Sequence, residues 1–210
     1  MNYSKEHAAY LRAIRTHGWT VGLCRVLVLV LLLGTGLGIL LAVLLWWLPF
    51  VNEVMDPYLV VLNALPKIAL GPVLIVWIGA GMGSIIVMAV LISLVVTTVT
   101  VLSGFTAAAE EKQFLMRTLG ATKAQIFLKV VLPAGVPHMM SALKISVGMS
   151  WVGVIVGEYL VSKSGLGYLI VYGGQVFKLD LVMASVVILC LLAALMYGAV
   201  ALLEKRFQKA

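Results

Sequence analysis

The stretch RTLGATKAQIFLKVVLPAG, residues 117–135, lies between two long apolar runs and decides how the rest of the chain is interpreted. Gly120 suits the position just after a helix, because glycine adopts the left-handed backbone that ends many helices. Thr122 and Gln125 form the S/T-x-x-E/Q pattern of a capping box, which predicts that a second helix starts there. Pro133 is expected to end that helix, since the residue before a proline disfavours the α conformation.

The stretch therefore predicts two short helices joined by a bend. The first helix is predicted over Ala107–Leu119, and the second has Ile126 and Phe127 on an apolar stripe with its lysines off that stripe. Such a segment is apolar on one side and basic on the other. Two interpretations stay open from the residues alone: an amphipathic segment lying on lipid, or a docking element for a cytoplasmic partner.

The composition places this bend in a membrane protein. Hydrophobic residues make up 63% of the 210 residues, charged residues only 11%, and the mean hydropathy is +1.14. Soluble domains are about half apolar and about a quarter charged. The net charge of +7 does not indicate nucleic-acid binding, because the cations fall in loops and tails without interleaved aromatic residues. We predict an all-α integral membrane protein with one transmembrane domain over residues 1–210.

Five apolar runs are long enough to cross a bilayer, which requires roughly 20 residues. A polar middle segment, residues 103–135, separates the third run from the fourth. The predicted spans cover residues 26–48, 58–79, 85–102, 139–160 and 181–203.

The distribution of cations predicts the orientation. The middle segment and the tail share one side of the membrane and hold eight of the fifteen cations, while the N-terminus and the last loop hold six. The first group is Lys112, Arg117, Lys123, Lys129, Lys144, Lys205, Arg206 and Lys209; the second is Lys5, Arg12, Arg15, Arg25, Lys163 and Lys178. The positive-inside rule thus predicts that the middle segment and the C-terminus are cytoplasmic.

Lys67 and Glu158 are candidate pathway or gate residues, because charges within apolar runs are costly. For Lys67 the alternatives are snorkelling to the interface and a cation beside an anion pathway. For Glu158 they are an interfacial carboxylate, an ion pair with Lys163, and a gate or inter-span contact. Trp151 is a third candidate, although tryptophan in a span more often serves packing.

Small residues and prolines suggest where helices approach or bend. Gly34 and Gly38 have the GxxxG spacing that permits close helix approach, although twenty glycines make chance a rival explanation. Pro66 and Pro72 are expected to kink the second span, and broken helices often border transport sites.

No enzyme signature is present in the sequence. A P-loop is excluded because no Gly-Lys dipeptide occurs, and HExxH, Cys–His metal spacings and G-x-S-x-G are also absent. We expect no catalytic residue, no metal site and no cofactor in this chain.

Three motifs resemble the permeases of binding-protein-dependent ABC importers. Gly120, nine residues, Val130, one residue and Leu132-Pro133 resemble the family's loop pattern, EAA, three residues, Gly, nine residues, Ile, one residue, Leu-Pro. LPKIALGPVLIVWIGAG (residues 65–81) and GEYLVSKSGLGYLI (residues 157–170) look like the nitrate, sulfonate and taurine branch. The similarity runs from about residue 19 to residue 207, nearly the whole chain.

The resemblance implies a type I importer fold: a helical bundle whose bent loop is a coupling helix that enters a groove on an ATPase. Leu119, Gly120 and Ala121 would form the inserting bend, and Leu132 and Pro133 would close the unit. It also implies a homodimer in the bacterial inner membrane, with two cytoplasmic ATPase subunits that hold ATP and Mg²⁺, and an external solute-binding protein. The expected solute is a small oxyanion such as nitrate, a sulfonate, taurine or bicarbonate; vitamin precursors stay open.

The sequence departs from the family pattern in two places. The EAA positions hold Phe114, Leu115 and Met116, so the ATPase contact should be more apolar than usual. The family usually has six spans, and the first is not found here. The competing function is a stand-alone channel or secondary carrier, which gives no reason for the spacing between Gly120 and Pro133.

Overall fold

The structure is a computed structural model that describes residues 17–107, 110–161 and 165–207, and every regular element in these ranges is helical. The described elements are α1 (His17–Trp47), α2 (Pro49–Ala64), a 3₁₀-helix (Lys67–Leu70), α3 (Gly71–Ile78), α4 (Met82–Thr106), α5 (Glu110–Thr118), α6 (Lys123–Ile126), a π-helix (Phe127–Val131), α7 (Leu132–Val161), α8 (Leu166–Gln175) and α9 (Leu179–Phe207).

Four helical segments in the described ranges are long and apolar enough to cross a membrane. They cover Arg25–Trp47, Met82–Thr106, Lys123–Val161 and Leu179–Leu202. These segments contain the predicted third and fourth spans and all but the last residue of the predicted first and fifth spans. The all-helical membrane fold expected from composition is therefore confirmed.

The predicted second span is a broken helix. α2 ends at Ala64, Leu65 has an extended backbone with φ −59° and ψ 136°, and Pro66 precedes the 3₁₀-helix. Proline explains this break, because its ring forces the preceding residue out of the α conformation and it has no N–H to donate. The segment therefore continues as the 3₁₀-helix and the short α3 rather than as one long helix.

The prediction that Pro133 ends the second short helix is wrong. The helical path continues from α6 through the π-helix into α7, and the Leu132 N–H donates to the Phe127 carbonyl five residues earlier. In a regular α-helix the proline ring would clash with the carbonyl four residues earlier, and the wider π-turn changes that spacing. The result is one helical segment over residues 123–161, which we call the column.

The column packs antiparallel on α4 along a line of small residues. A Cβ added at Gly153 would overlap the backbone of Ala89, and one added at Gly157 would lie 2.8 Å from Ile85 Cγ2. Without a hydrophobic force between helices in lipid, small residues allow the close contact that holds them together.

α1 also packs on α4, through the predicted GxxxG pair. A Cβ at Gly34 would lie 2.7 Å from Ser93 Cβ, and a Cβ at Gly38 would lie 2.7 Å from Thr97 Cβ. The Thr98 hydroxyl also donates to the Gly38 carbonyl over 3.3 Å. The two glycines thus bring α1 against α4, as their spacing suggested.

Two apolar clusters fill the bundle. One lies toward the bend and is centred on Phe105, Phe127 and Val131. The other lies toward the opposite end and contains Trp151 and Val154. Trp151 is therefore a packing residue of the second cluster.

A matched pair of glycines in α7 tests the close contact. Gly153→Ala should lower the midpoint of thermal unfolding in detergent, because its methyl group overlaps the backbone of Ala89, and overpacking typically costs about 1–3 kcal/mol. Gly148→Ala should raise it slightly or leave it unchanged, since no atom lies within 4 Å of the added Cβ and alanine favours helix. Equal midpoints for the two variants would contradict this account.

Candidate functional site

The predicted bend is closed by backbone hydrogen bonds. α5 ends at Thr118, and Gly120 has a φ of 79°, the left-handed conformation that favours glycine. The Gly120 N–H donates to the Arg117 carbonyl and the Ala121 N–H to the Met116 carbonyl, each over 3.0 Å. These two bonds form a Schellman motif, so glycine ends the helix as predicted.

The next helix begins with the predicted capping box. The Thr122 N–H donates to Gln125 Oε1 over 2.8 Å, and the Gln125 N–H donates to the Thr122 hydroxyl over 3.4 Å. Both donors at the helix start are satisfied by their own neighbours. The bend is therefore defined by residues that lie within one turn of it on either side.

Lys123 attaches the bend to the end of α1. Its Nζ donates to the Trp47 carbonyl over 2.6 Å and lies 5.6 Å and 5.8 Å from the ring centroids of Trp46 and Trp47. The Phe127 ring packs 5.0 Å from Trp46 and 5.7 Å from Phe105, centroid to centroid. Sequence reasoning missed this role of Lys123, because its partner lies 76 residues earlier in the chain.

The bend exposes apolar side chains. Leu119 is 73% exposed and Phe114 is 69% exposed, and Leu115 and Leu128 are also exposed. We call these four residues the apolar tip. The other predicted members of the site lie nearby: Ala121 and Leu132 pack against the first cluster, and Pro133 is exposed at the start of α7.

An open cavity of about 960 Å³ separates the bend from the junction of α1 and α2. Trp46 and Asn52 line one side, and Phe114, Arg117 and Lys123 line the other. The apolar tip therefore lies beside a concave surface that carries two cations and the carboxyl group of Glu111.

The broken helix lies at membrane depth. Leu74 of α3 packs against Met88 and Ile92, which lie well inside the span formed by α4. Leu65 and Pro66, where the helix is interrupted, are exposed on the surface of this single chain. Lys67 opens the 3₁₀-helix directly after the break, and its side chain lies outside the described residues.

Exposure of this break has a physical consequence. Non-helical backbone at membrane depth is tolerated only where protein covers it or where it lines a water-filled cavity, because lipid offers no hydrogen-bonding partner. The break meets part of this requirement itself, because the Leu65 N–H donates to the Val61 carbonyl and the Pro66 carbonyl accepts from the Ala69 N–H.

Glu158 contacts α8, which lies between the predicted fourth and fifth spans and is not itself a span, so its predicted gate or inter-span role stays a prediction. Its side chain is only 7% exposed, and its Oε2 accepts a hydrogen bond from the Gly167 N–H over 2.9 Å. The alternative ion pair with Lys163 falls outside the described residues. Trp151 lies two turns earlier on α7, in the second apolar cluster, and Lys67 opens the 3₁₀-helix.

No group of three or more metal-ligating side chains occurs within residues 17–107, 110–161 and 165–207.

Comparison with known proteins identifies relatives over most of the chain. Residues 34–209 match the family described as binding-protein-dependent transport system inner membrane component. The chain is 35% identical over 177 residues to a probable ABC transporter permease protein of Haemophilus influenzae, which covers 84% of this chain and 72% of that protein.

Two further relatives have named solutes. The chain is 34% identical to a formylaminopyrimidine transport permease of Halalkalibacterium halodurans, with 80% of this chain and 67% of that protein covered. It is 25% identical to the taurine transport system permease of Escherichia coli, with 75% of this chain and 58% of that protein covered.

The capping box gives a test of the bend. Thr122→Ala removes the hydroxyl that accepts from Gln125, and losing such a cap costs about 0.5–2 kcal/mol. Amide hydrogen exchange in a peptide spanning the bend should therefore become several-fold faster. Thr122→Ser keeps the hydroxyl and should exchange like the parent chain. Unchanged exchange in the alanine variant would show that the box does not hold the bend.

Proposed function

This chain belongs to the family of binding-protein-dependent transport system inner membrane components, the permeases through which ABC systems import small solutes, and from that premise we propose how its parts perform transport. The bend over Leu119, Gly120 and Ala121 is the coupling element that docks on a cytoplasmic ATPase. The broken helix around Leu65–Leu70 borders the solute pathway. ATP and Mg²⁺ are bound by the ATPase, a separate chain.

The observation that supports the coupling role is the apolar tip on a rigid bend. Four large apolar side chains are exposed next to cationic residues, and contiguous exposed apolar surface is typical of a protein interface. Two of the three residues that replace the family's EAA, Phe114 and Leu115, belong to this tip, whereas Met116 packs inward. The contact with the ATPase is accordingly apolar rather than ionic.

The proposed orientation puts the apolar tip and the C-terminus in the cytoplasm. The Lys123 contact brings the end of α1 to the same face as the bend. The turn between α3 and α4 and the helix α8 then lie on the outer face, where a solute-binding protein would meet the permease.

A second copy of the chain completes the pathway in this proposal. The helix break at Leu65 and Pro66 is exposed on a single chain, and a homodimer with an aqueous path between its subunits would place the break beside that path. Lys67, next to the break, is the cation that would meet an anionic solute.

Transport would then proceed by alternating access. ATP binding closes the pair of ATPase subunits, the two bends move with them, and the permease subunits rock to open outward. For ATP to drive this change, its binding free energy must differ between the inward-open and outward-open states.

A small oxyanion is the proposed solute class, with taurine, sulfonates, nitrate and bicarbonate as candidates. Lys67 beside the break supports this class, as do relatives named for taurine and aliphatic sulfonates. An uncharged pyrimidine is the second candidate, because the formylaminopyrimidine permease is 34% identical to this chain and the taurine permease is 25% identical. A stand-alone carrier is less well supported, since it leaves the apolar tip without a partner.

Leu119→Asp tests the coupling role. A charge at the tip should strongly reduce the amount of ATPase that copurifies with the tagged permease and should abolish ATP-dependent uptake. Leu179→Asp is the control, because Leu179 is similarly exposed, at 69%, but lies at the opposite face. Normal ATPase recovery with Leu119→Asp would contradict the docking role.

Lys67→Met tests the anion pathway. If the solute is an oxyanion, the KM for uptake should rise about tenfold, equivalent to about 1.4 kcal/mol of binding free energy, while Lys67→Arg should behave like the parent chain. Uptake of taurine, an alkyl sulfonate, nitrate, bicarbonate and formylaminopyrimidine is measured in parallel. Formylaminopyrimidine uptake that is insensitive to the methionine substitution would favour the second candidate.

A further inference from the structure

The column is one continuous helical segment, with the π-turn, Pro133 and Pro137 in its first half. It begins at the capping box beside the bend and runs through 39 residues to Val161. At a rise of about 1.5 Å per residue it is roughly 58 Å long, which exceeds the thickness of the bilayer. Movement at one end of such a helix is transmitted to the other end wherever the helix stays rigid.

Glu158 joins the far end of the column to α8. α8 begins after Gly165, a residue without a side chain to cap the helix, and its second residue, Gly167, donates its N–H to Glu158 Oε2. The neighbouring helix therefore supplies the acceptor that a capping side chain normally provides. A carboxylate is well suited to this position, because the start of a helix carries partial positive charge.

The contact between Glu158 and the first turn of α8, which we call the joint, is close-packed. A Cβ at Gly165 would overlap the carboxyl group of Glu158, and a Cβ at Gly167 would lie 2.7 Å from the Ile155 carbonyl oxygen. The first turn of α8 is thus seated directly on the column. Moving it away would leave the buried Glu158 oxygen and the Gly167 N–H without each other, and burying polar groups without a hydrogen-bond partner is costly.

α8 also packs against a second helix, α9, with which it could move instead of moving with the column. Gly173 packs against Val182 of α9, and the Lys178 N–H donates to the Gly173 carbonyl over 2.8 Å. α8 therefore lies between the column and α9. The hydrogen bond from Gly167 to Glu158 attaches its first turn to the column.

We propose that Glu158 is a positioning residue that locks the outer helix α8 to the column, so that displacement of the cytoplasmic bend moves α8 as part of the same rigid body. This proposal rests on the proposed function, because the ATPase is what displaces the bend. The required feature is a hydrogen-bond acceptor at the right distance, not a negative charge.

Single cysteines report the movement of each element. Cys24 and Cys190 are replaced by serine, and one cysteine is introduced either at Gln175, which is exposed at the end of α8, or at Tyr159, which is exposed on the column. The assembled permease and ATPase complex is reacted with a membrane-impermeant maleimide, with and without ATP and vanadate, and the labelling rates are compared. The same complexes are assayed for ATP hydrolysis.

The parent complex should show an ATP-dependent change of several-fold in labelling rate at both positions. Glu158→Ala should remove the change at Gln175→Cys and retain it at Tyr159→Cys, while ATP hydrolysis continues. Glu158→Gln should keep both changes, because its amide oxygen accepts the same hydrogen bond. Glu158→Asp should behave like alanine, since its shorter side chain withdraws the acceptor.

Three outcomes would overturn the proposal. If the ATP-dependent change in labelling rate at Gln175→Cys persists in Glu158→Ala, α8 moves with the column without the joint. A response kept by Glu158→Asp and lost by Glu158→Gln shows that charge, rather than the placed acceptor, matters. Loss of the response at both positions in the aspartate and alanine variants shows a general structural role. If ATP changes neither position in the parent complex, the proposed ATPase coupling itself has failed.

Discussion

The close contact between α4 and the column is the constraint on which the rest of the structure depends. Gly153 and Gly157 bring the column onto Ala89 and Ile85, and Thr97 and Ser146 share a hydrogen bond of 2.6 Å along the same interface. Lipid is as apolar as the side chains, so this shape complementarity, rather than burial from water, holds the helices. With the column fixed on α4, the bend at one end and α8 at the other have defined positions.

Features that depend on neighbouring residues could be predicted from the sequence. Gly120 ends α5 and the Thr122–Gln125 pair begins α6, because both signals act through hydrogen bonds within a few residues of themselves. The long apolar runs were also informative, since bilayer thickness sets the length of a spanning helix. The family motifs then indicated what the bend is for, which helix-end chemistry alone left open.

Features that depend on distant partners could not be predicted. Nothing near Lys123 indicates that its ammonium group binds the Trp47 carbonyl, and Glu158 gives no local sign of the Gly167 amide as its partner. The prediction that Pro133 ends a helix was wrong for a different reason. A proline normally ends or kinks a helix, but a π-turn directly before it allowed the helix to continue.

The bend has its final shape before any partner arrives, because the Schellman motif and the capping box are both made from its own atoms. A disordered loop would lose conformational entropy on docking, at about 1–2 kcal/mol per residue of backbone, and that loss would weaken binding. The preformed bend avoids most of this loss. In the proposed coupling role, a small apolar tip would therefore lose little binding free energy to ordering, although it offers few side chains for contact.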